Sequence, residues 1–261
     1  MSRGFQPSCW IAGPGISSGS EALYYRGQPG FDEILARIHE YITSNVILAV
    51  TPMPLTPDEL RQIRELTLAY YDEHAESFEA GTRDHDVSQN IAALLRHLHG
   101  APPFDILDLG CGPGRDLKTF AALGHRTVGL DGAARFVAMA RQASGCEVWH
   151  QDLLGLDLPA GRFDGIFANA VLFHVPGQEL PRVLRQLRAA LRPDGALFCS
   201  NPRGANQEGW NHGRYGAYHD LDTWRALMNA AGFGELEHYY RPAGLPREQQ
   251  PWLASVWRPR P

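Results

Sequence analysis

The sequence predicts an α/β protein whose central sheet is mostly parallel and is covered by helices on both faces. Short apolar strands alternate with amphipathic helical segments from residue 105 onwards, and such alternation is typical of parallel sheets. A glycine-rich turn, DLGCGPGRD, closes the first of these strands. The last two strands have no helix between them, which indicates antiparallel pairing at one edge of the sheet.

The first 52 residues differ from the rest of the chain. Gly, Ser and Pro crowd between Gly13 and Gly30, as is typical of loops or disorder. The stretch FDEILARIHEYI spaces its apolar residues as an amphipathic helix does. We predict an accessory segment over 1–52, partly disordered with one helix, and a domain over 53–261. Within that domain we expect a helical cap over 53–100 and an α/β core over 101–261.

The elements of the domain follow from local signals. Thr56 precedes Pro57 and two acids, which predicts a helix start, and this helix is expected to reach about Phe78. VSQNIAALLRHLH, from Val87, predicts a second helix. The remaining elements are predicted in this order: strand DILDLG, helix DLKTFAALG, strand RTVGLD, helix AARFVAMARQA, strand CEVWHQD, strand FDGIFANA, helix ELPRVLRQLRAALRP, strand GALFCSNP, helix DLDTWRALMNAAGF, and strands GELEHYYR and PWLASVWR.

Composition narrows the function classes. The chain has 261 residues, 44% of them hydrophobic, and a formal net charge of -5, which disfavours a general nucleic-acid or membrane binder. Its cysteines are scattered without a Cys-x-x-Cys pair, so we expect neither a disulfide framework nor a zinc site, and no other metal. No signal peptide or spanning segment is apparent. A cytoplasmic location is the simplest interpretation.

The glycine-rich turn predicts a site where the backbone approaches a ligand closely. Gly110, Gly112 and Gly114 permit a tight turn, and the following helix points its free N–H groups at the ligand. The dinucleotide pattern requires a third glycine where Arg115 stands, and Gly-Lys-Ser/Thr of a Walker loop is absent. The ligand therefore need not carry a pyrophosphate.

Two acids end the next two strands. Asp131 follows the turn by about 20 residues, at the place where a carboxylate accepts hydrogen bonds from both hydroxyls of a ribose. Asp152 ends the third strand, where a carboxylate can take an adenine amino group. The alternative for either acid is a cap after a strand.

These stretches carry a family resemblance. ILDLGCGPGRD, VGLD, HQDLLGLDLPAGRFDGIFANAVLFHV and LRPDGALFCS resemble the class I S-adenosylmethionine-dependent methyltransferases, and YDEHAESF is similar to a motif that often precedes their core. The resemblance implies a Rossmann-like sheet of seven strands, the last antiparallel, and S-adenosylmethionine as cofactor. The cofactor-binding residues implied or predicted with it are Tyr71, Gln89, Asp108, Gly110, Gly112, Gly114, Asp131, Gly132, Asp152, Leu153 and Asn169.

Methyl transfer demands little acid–base chemistry, because the methyl group of a sulfonium is already reactive. Alignment of the nucleophile and exclusion of water matter most, so a base is optional. His174, in NAVLFHVP, is our first candidate base, with a structural role as the alternative. GTRDHDVSQN adds His85, expected to face the transfer cavity, with Arg83 or Gln89 near the cofactor carboxylate. Asp86 and Gln89 match a capping box.

Substrate residues are expected at the carboxyl ends of the strands. The connection NPRGANQEGWNHGRYGAYHD is long and aromatic, and we predict a lid loop over about 201–220. The substrate candidates are Asn201, Arg203, Trp210, Arg214 and Tyr215. We expect methyl transfer to a small-molecule N, O or S nucleophile by a monomer or homodimer. Methylation of a tRNA or protein, or cofactor binding without catalysis, remain the alternatives.

Overall fold

Three helices precede the sheet in the computed structural model, which describes residues 54–261. They are α1 (Pro57–Glu73), α2 (Ala75–Thr82) and α3 (Ser88–Leu95). The helix predicted to run unbroken from Thr56 to Phe78 is interrupted at His74, whose ring Nδ1 donates to the Tyr70 carbonyl at 2.8 Å and stacks on the Tyr70 ring. The accessory segment predicted over 1–52 lies outside the described residues.

The start of α1 is a complete capping box. The Glu59 N–H donates to Thr56 Oγ1 at 3.3 Å, and the Thr56 N–H donates to the Glu59 carboxylate at 2.7 Å. Each bond satisfies a backbone or side-chain group that the helix end would otherwise leave to water. The predicted helix start is thereby confirmed.

Thr56→Ala is expected to lower the free energy of unfolding by about 1 kcal/mol, because it removes the acceptor for the Glu59 N–H. Urea unfolding monitored by circular dichroism measures the change. Thr119→Ala is the matched control: Thr119 is exposed within a helix, and its hydroxyl bonds the Arg115 carbonyl, a contact that contributes little. Equal losses in the two variants would contradict a capping role.

Nine strands follow in chain order. They are β1 (Asp105–Leu109), β2 (Arg126–Asp131), β3 (Glu147–His150), β4 (Phe163–Asn169), β5 (Leu191–Pro202), β6 (Gln207–Asn211), β7 (Arg214–Tyr218), β8 (Phe233–Arg241) and β9 (Trp252–Pro259). Seven of them form one sheet in the order β3-β2-β1-β4-β5-β9-β8. β9 runs antiparallel to both of its neighbours, while the pairs from β3 to β5 are parallel. The predicted Rossmann-like class is confirmed, with the refinement that β9 inserts between β5 and β8.

The connecting helices cover both faces of this sheet. They are α4 (Arg115–Ala122), α5 (Ala134–Ser144), α6 (Leu180–Ala190) and α7 (Leu221–Ala230). Helix α6 ends three residues before the predicted end, since Leu191 already pairs with Phe163 of β4 and Pro193 disfavours helical backbone at the residue before it. The rest of the pattern matches prediction to within a few residues.

Side chains alternate along each central strand between two apolar layers. In β1, Leu107 and Leu109 pack with α6 and α7, and Ile106 packs with α3 and Phe120 of α4. Burial on both faces of the sheet explains why the sequences of these strands are continuous apolar runs. No helix among residues 54–261 combines the length and apolar character needed to cross a membrane.

Residues 207–218 differ from the predicted lid loop, because they form a two-stranded hairpin of β6 and β7. Its turn places His212 at φ 48° and Gly213 at φ 80°, the left-handed pair that matches the twist of a tight hairpin. The Tyr215 N–H donates to Thr67 Oγ1 of α1 at 3.1 Å. The hairpin is therefore docked on the helical cap.

Candidate active site

The glycine turn lies at the carboxyl end of β1, and its glycines adopt left-handed backbone: Gly110 φ 67°, Gly112 φ 52° and Gly114 φ 92°. A Cβ at Gly110 would stand 2.2 Å from Val171 Cγ2, whereas a Cβ at Gly112 would meet only Phe78 Cε1, at 3.9 Å. Gly110 is thus needed for packing within the protein. At Gly112 the backbone borders open space next to the Phe78 ring.

Asp131, at the end of β2, is buried and holds the glycine turn in place. Its two carboxylate oxygens accept the Gly112 N–H and the Ala133 N–H, each at 2.9 Å. Burial raises the pKa of Asp131 to about 6. A carboxylate has about four acceptor sites, and backbone N–H groups occupy only part of them, so capacity remains for a donor such as a ribose hydroxyl.

Of the three other residues predicted around this end, Gly132 and Asp152 lie against α1 and Leu153 packs on the core. A Cβ at Gly132 would stand 2.7 Å from Leu68 Cδ2. Asp152 Oδ1 accepts the Leu154 N–H at 2.7 Å, which makes it a cap, while Oδ2 lies 3.9 Å from the Arg64 guanidinium. Leu153 is half-buried against the core. The capping role that was the alternative for Asp152 is therefore present, and its contact with adenine stays a prediction.

A chain of buried polar groups crosses the carboxyl edge of the sheet. Asn169 Nδ2 donates to Asp116 at 3.2 Å, Asn90 Nδ2 donates to Asn169 Oδ1 at 3.0 Å, and the Tyr239 hydroxyl donates to Asn90 Oδ1 at 2.9 Å. Asp108 lies nearby, and burial, together with the charge of Asp116, raises its pKa well above the usual range. This chain connects the glycine turn to β8.

Asn90 is a residue that the sequence interpretation missed in favour of Gln89. Gln89 is exposed, whereas Asn90 is fully buried. Asn90 stands four residues before Leu94 on the apolar stripe of α3, and this helical spacing was the available signal. The exposure of the Gln89 side chain gives no support to the prediction that it contacts the cofactor.

The centre of the site joins three separate elements. His174, in the short turn after β4, contacts the Tyr71 hydroxyl through Nε2 at 2.7 Å and the Tyr215 carbonyl through Nδ1 at 2.6 Å. A carbonyl only accepts, so Nδ1 carries the proton and Nε2 receives the Tyr71 hydroxyl proton. Burial lowers the pKa of His174 to about 4. The imidazole is thus neutral near pH 7, with both nitrogens engaged.

Arg214 of β7 completes this centre. Its guanidinium lies over the rings of Tyr70 and Tyr71, at 4.9 and 5.6 Å from their centroids, and Nη1 is 3.3 Å from the Tyr71 hydroxyl. Burial raises the pKa of Tyr71 and the Arg214 charge opposes that rise. Trp210 stands edge-on to Tyr215 and is half exposed. Tyr70 and Tyr71 of α1 and Arg214, Tyr215 and Trp210 of the hairpin therefore cover this end of the site together. We call this cover the aromatic roof.

Other predicted residues lie apart from this centre. His85 is exposed, and this exposure does not support the prediction that it faces an enclosed transfer cavity. Arg83 forms an ion pair with Glu79 at 2.6 Å. The predicted capping box is not formed, because Asp86 accepts the Ser88 N–H and the N-cap is Val87, without a side-chain bond.

Arg203 and Asn201, both predicted for the substrate, have different surroundings. The Arg203 guanidinium donates to the carbonyls of Gln250 and Arg247, each at 2.9 Å, and so holds the loop before β9. These two hydrogen bonds compete with the substrate contact predicted for Arg203. Asn201 is buried, and its Oδ1 has no hydrogen-bond partner among residues 54–261.

Comparison with known proteins decides the family. Residues 106–195, which include the glycine turn and Asp131, match the family model described as a methyltransferase domain. Residues 106–195 therefore form a methyltransferase domain of the class I S-adenosylmethionine-dependent kind. A solved Burkholderia thailandensis 1,6-didemethyltoxoflavin-N1-methyltransferase aligns with this methyltransferase domain at a TM-score of 0.66 and 22% identity, covering 83% of this chain and 99% of that chain. At that identity the likeness shows the fold.

Curated relatives of the methyltransferase domain act on small molecules by name. Trans-aconitate 2-methyltransferase of Azoarcus is 39% identical over 38% of this chain and 39% of its own length. A ubiquinone biosynthesis O-methyltransferase of Cereibacter sphaeroides is 33% identical over 45% of this chain and 50% of its own length. The chain thus spans half or less of the length of these relatives.

The methyltransferase domain has the features that S-adenosylmethionine requires. Gly112 leaves room for a ligand along the backbone, and Asp131 has acceptor sites to spare. Among residues 54–261, no three His, Cys, Asp or Glu side chains are grouped as metal ligands.

The pKa of Asp131 predicts a pH dependence of cofactor binding. Ribose hydroxyls favour the ionised carboxylate, so affinity for S-adenosylhomocysteine is expected to be full near pH 7 and to fall about tenfold per unit below pH 6. The stability of the free protein changes in the opposite sense: the contribution of Asp131 is present below its unfolded pKa of 3.8 and is lost as pH rises through 6. Calorimetric titration measures the first change and urea unfolding the second.

Asp131→Asn is the control for this pH dependence. The amide does not titrate, so its residual affinity should vary little over the same pH range. An affinity of the unchanged protein that stayed constant down to about pH 5 would contradict the role of the carboxylate.

Proposed function

We propose that this methyltransferase domain transfers the methyl group of S-adenosylmethionine to an N, O or S atom of a small molecule. The observation that carries the proposal is the combination of the Asp131–Gly112 hydrogen bond with the aromatic roof, in which Tyr71 and Arg214 contact each other above His174. All residues of the aromatic roof belong to this chain. A roof of this kind favours an acceptor that can be enclosed, and the net charge of -5 gives no general attraction for nucleic acid.

The bound cofactor supplies an activated methyl group, so the protein chiefly has to orient the reactants. Asp131 would hold the ribose, and the glycine turn would lie along the bound cofactor. Positioning of this kind can supply about 7–11 kcal/mol of the barrier in the best cases. The roof excludes water, which strengthens the electrostatic interactions beneath it.

Tyr71 and His174 act as one unit in this mechanism. The Tyr71 hydroxyl donates a hydrogen bond to His174 Nε2, so its oxygen lone pairs face donors such as Arg214. A neutral imidazole with a pKa of about 4 is a weak base near pH 7. We therefore assign His174 the role of orienting Tyr71. Removal of a proton by His174 is expected only when the acceptor loses that proton readily.

The experiment has two stages. Calorimetry with S-adenosylhomocysteine tests cofactor binding by the full chain, and incubation with methyl-labelled S-adenosylmethionine then tests transfer. The acceptors are offered as three fractions: small metabolites, tRNA and proteins. We expect label in the small-metabolite fraction with the unchanged protein and none with Asp131→Ala.

The three functional hypotheses give different outcomes. Label in tRNA or protein alone would replace the proposal with macromolecular methylation. Cofactor binding without transfer to any fraction would favour a non-catalytic binding protein. Absence of cofactor binding would contradict the proposal at its first step.

A further inference from the structure

The buried hydrogen-bond chain at the carboxyl edge of the sheet has a single direction. The Tyr239 hydroxyl of β8 donates to Asn90 Oδ1 at 2.9 Å. Asn90 Nδ2 donates to Asn169 Oδ1 at 3.0 Å, and Asn169 Nδ2 donates to Asp116 Oδ2 at 3.2 Å. Every donor therefore points towards the start of α4, and the fully buried Asn90 of α3 is the link in the middle.

The carboxylate of Asp116 sets this direction. Arg115 donates to both of its oxygens, through Nε at 2.7 Å and Nη2 at 3.0 Å, so the end of the chain only accepts. Asn169 must then turn its nitrogen towards Asp116 and its oxygen towards α3. Asn90 meets that oxygen with its own nitrogen, which leaves its oxygen for Tyr239. The orientation of each amide is thus determined by its neighbours.

The backbone after Asn169 needs a fixed support. Ala170 adopts φ 62°, in the left-handed region that a residue other than glycine occupies only where its surroundings hold it. The turn that follows packs Val171 against Gly110 and then carries His174. Asn169, held by a hydrogen bond on each side of its amide, lies at the base of this turn.

Asn169 retains hydrogen-bonding capacity for a ligand. A side-chain amide has two N–H donors and two oxygen lone pairs, and the chain uses one of each. Asn169 is half-buried, so it still borders the carboxyl edge of the sheet. Asn90 is fully buried, so any influence it has on a ligand passes through Asn169.

The sheet order assigns Asn169 to one part of the cofactor. In the order β3-β2-β1-β4, Asp152 follows β3, Asp131 ends β2 and Asn169 ends β4. If Asp152 and Asp131 contact adenine and ribose, the cofactor runs along this edge towards β4. Its amino-acid end then continues over the glycine turn of β1, and β4 lies two strands from β2, at about 10 Å.

We propose that Asn90 is a positioning residue for S-adenosylmethionine. It fixes the direction of the Asn169 amide, and Asn169 contacts the amino-acid end of the cofactor with the N–H and the lone pair that the chain leaves over. The inference rests on the proposed function and adds to it a residue that never touches the cofactor. Because the chain has one direction, each cofactor molecule meets the same groups and is held in one alignment.

Two ligands separate the amino-acid end from the rest of the cofactor. S-adenosylhomocysteine contains this end, whereas 5′-methylthioadenosine retains only the adenine, the ribose and the sulfur. Calorimetric titration of the full chain with each ligand gives two affinities, and their ratio reports contacts to the amino-acid end. A general loss of structure weakens both ligands and leaves the ratio nearly unchanged.

Asn90→Ala and Asn90→Leu break the chain, the second at similar volume. We expect either change to weaken S-adenosylhomocysteine at least about fivefold and 5′-methylthioadenosine by no more than about twofold. Tyr239→Phe leaves the bond between Asn90 and Asn169 in place, so it should weaken S-adenosylhomocysteine only about two- to threefold. Asn229→Ala, the same change at an exposed helix position, is the matched control and should alter neither affinity.

A double variant tests whether Asn90 acts through Asn169. Asn169→Ala alone should weaken S-adenosylhomocysteine at least as much as Asn90→Ala does. The double variant should then lose no more than Asn169→Ala, because the two residues are expected to act in series. Additive losses would overturn the proposal, and so would an unchanged ratio of the two affinities in the Asn90 variants. If neither Asn90 variant folds, a ratio in Tyr239→Phe equal to that of the unchanged protein would overturn it.

Failure of this inference and failure of the proposed function are distinguishable. If the unchanged protein does not bind S-adenosylhomocysteine, the proposed function fails. If it binds S-adenosylhomocysteine and the Asn90 variants keep the same ratio of affinities, only the positioning role of Asn90 fails.

Discussion

Asp131→Ala is expected to abolish measurable binding of S-adenosylmethionine. On the proposed ribose contact, the substitution removes the acceptors for both hydroxyls, and hydrogen bonds to a charged group contribute about 1.5–3 kcal/mol each. Their joint loss corresponds to a fall in affinity of roughly 10²- to 10⁴-fold. It also frees the Gly112 and Ala133 N–H groups, which Asp131 holds at 2.9 Å, so the glycine turn loses its support.

Calorimetry with S-adenosylhomocysteine measures this loss. Asp157→Ala removes an acid at an exposed position and should leave the affinity unchanged. Asp131→Asn keeps one acceptor oxygen and should retain intermediate affinity. An Asp131→Ala protein that bound S-adenosylhomocysteine within about twofold of the unchanged protein would refute the ribose assignment.

Gly110→Ala is expected to cause the largest loss of stability among single methyl additions to the glycine turn. Its Cβ would lie 2.2 Å from Val171 Cγ2 and 2.6 Å from Val171 Cβ, on a backbone with φ 67°. Left-handed backbone costs an alanine about 1–2 kcal/mol, and overpacking adds about 1–3 kcal/mol. We expect the free energy of unfolding to fall by about 2–5 kcal/mol, together with cofactor affinity, because Val171 leads into the turn that carries His174.

Matched variants separate the steric and backbone contributions. Gly124→Ala meets open space at φ 86°, so it should lose only the backbone contribution of about 1–2 kcal/mol. The double variant Gly110→Ala with Val171→Ala should recover part of the stability lost by Gly110→Ala alone, as measured by urea unfolding. Equal losses for Gly110→Ala and Gly124→Ala would show that the close approach to Val171 is unimportant.

Local chemistry is sufficient to predict that the glycine turn and Asp131 lie together at the carboxyl ends of β1 and β2. The glycine turn at the end of a buried strand, and an acid about 20 residues later, constrain one another through a single βαβ unit. Both partners lie within that unit, so no distant contact has to be known. The Gly112–Asp131 bond is a direct product of this local arrangement.

The rest of the candidate site depends on contacts between distant segments, which local patterns do not report. The bond between Tyr71 and His174 spans 103 positions in the sequence. Asn90 looks like an ordinary helix residue until Asn169 and Tyr239 surround it. His212 at φ 48° is unusual for a residue other than glycine, so the hairpin turn was easily mistaken for loop. The pairing of β9 with β5 before β8 is likewise set by the tertiary structure.

The insertion of β9 has a consequence for biosynthesis. β8 reaches the sheet only through β9, because the sheet order places β9 between β5 and β8. During translation, β1 to β5 can associate as they emerge, but β8 has no partner until residues 252–259 have been made. Until then the nascent chain presents an open β5 edge whose backbone groups can pair with other strands. The β5 edge of the sheet is therefore closed only after β9 has been synthesised.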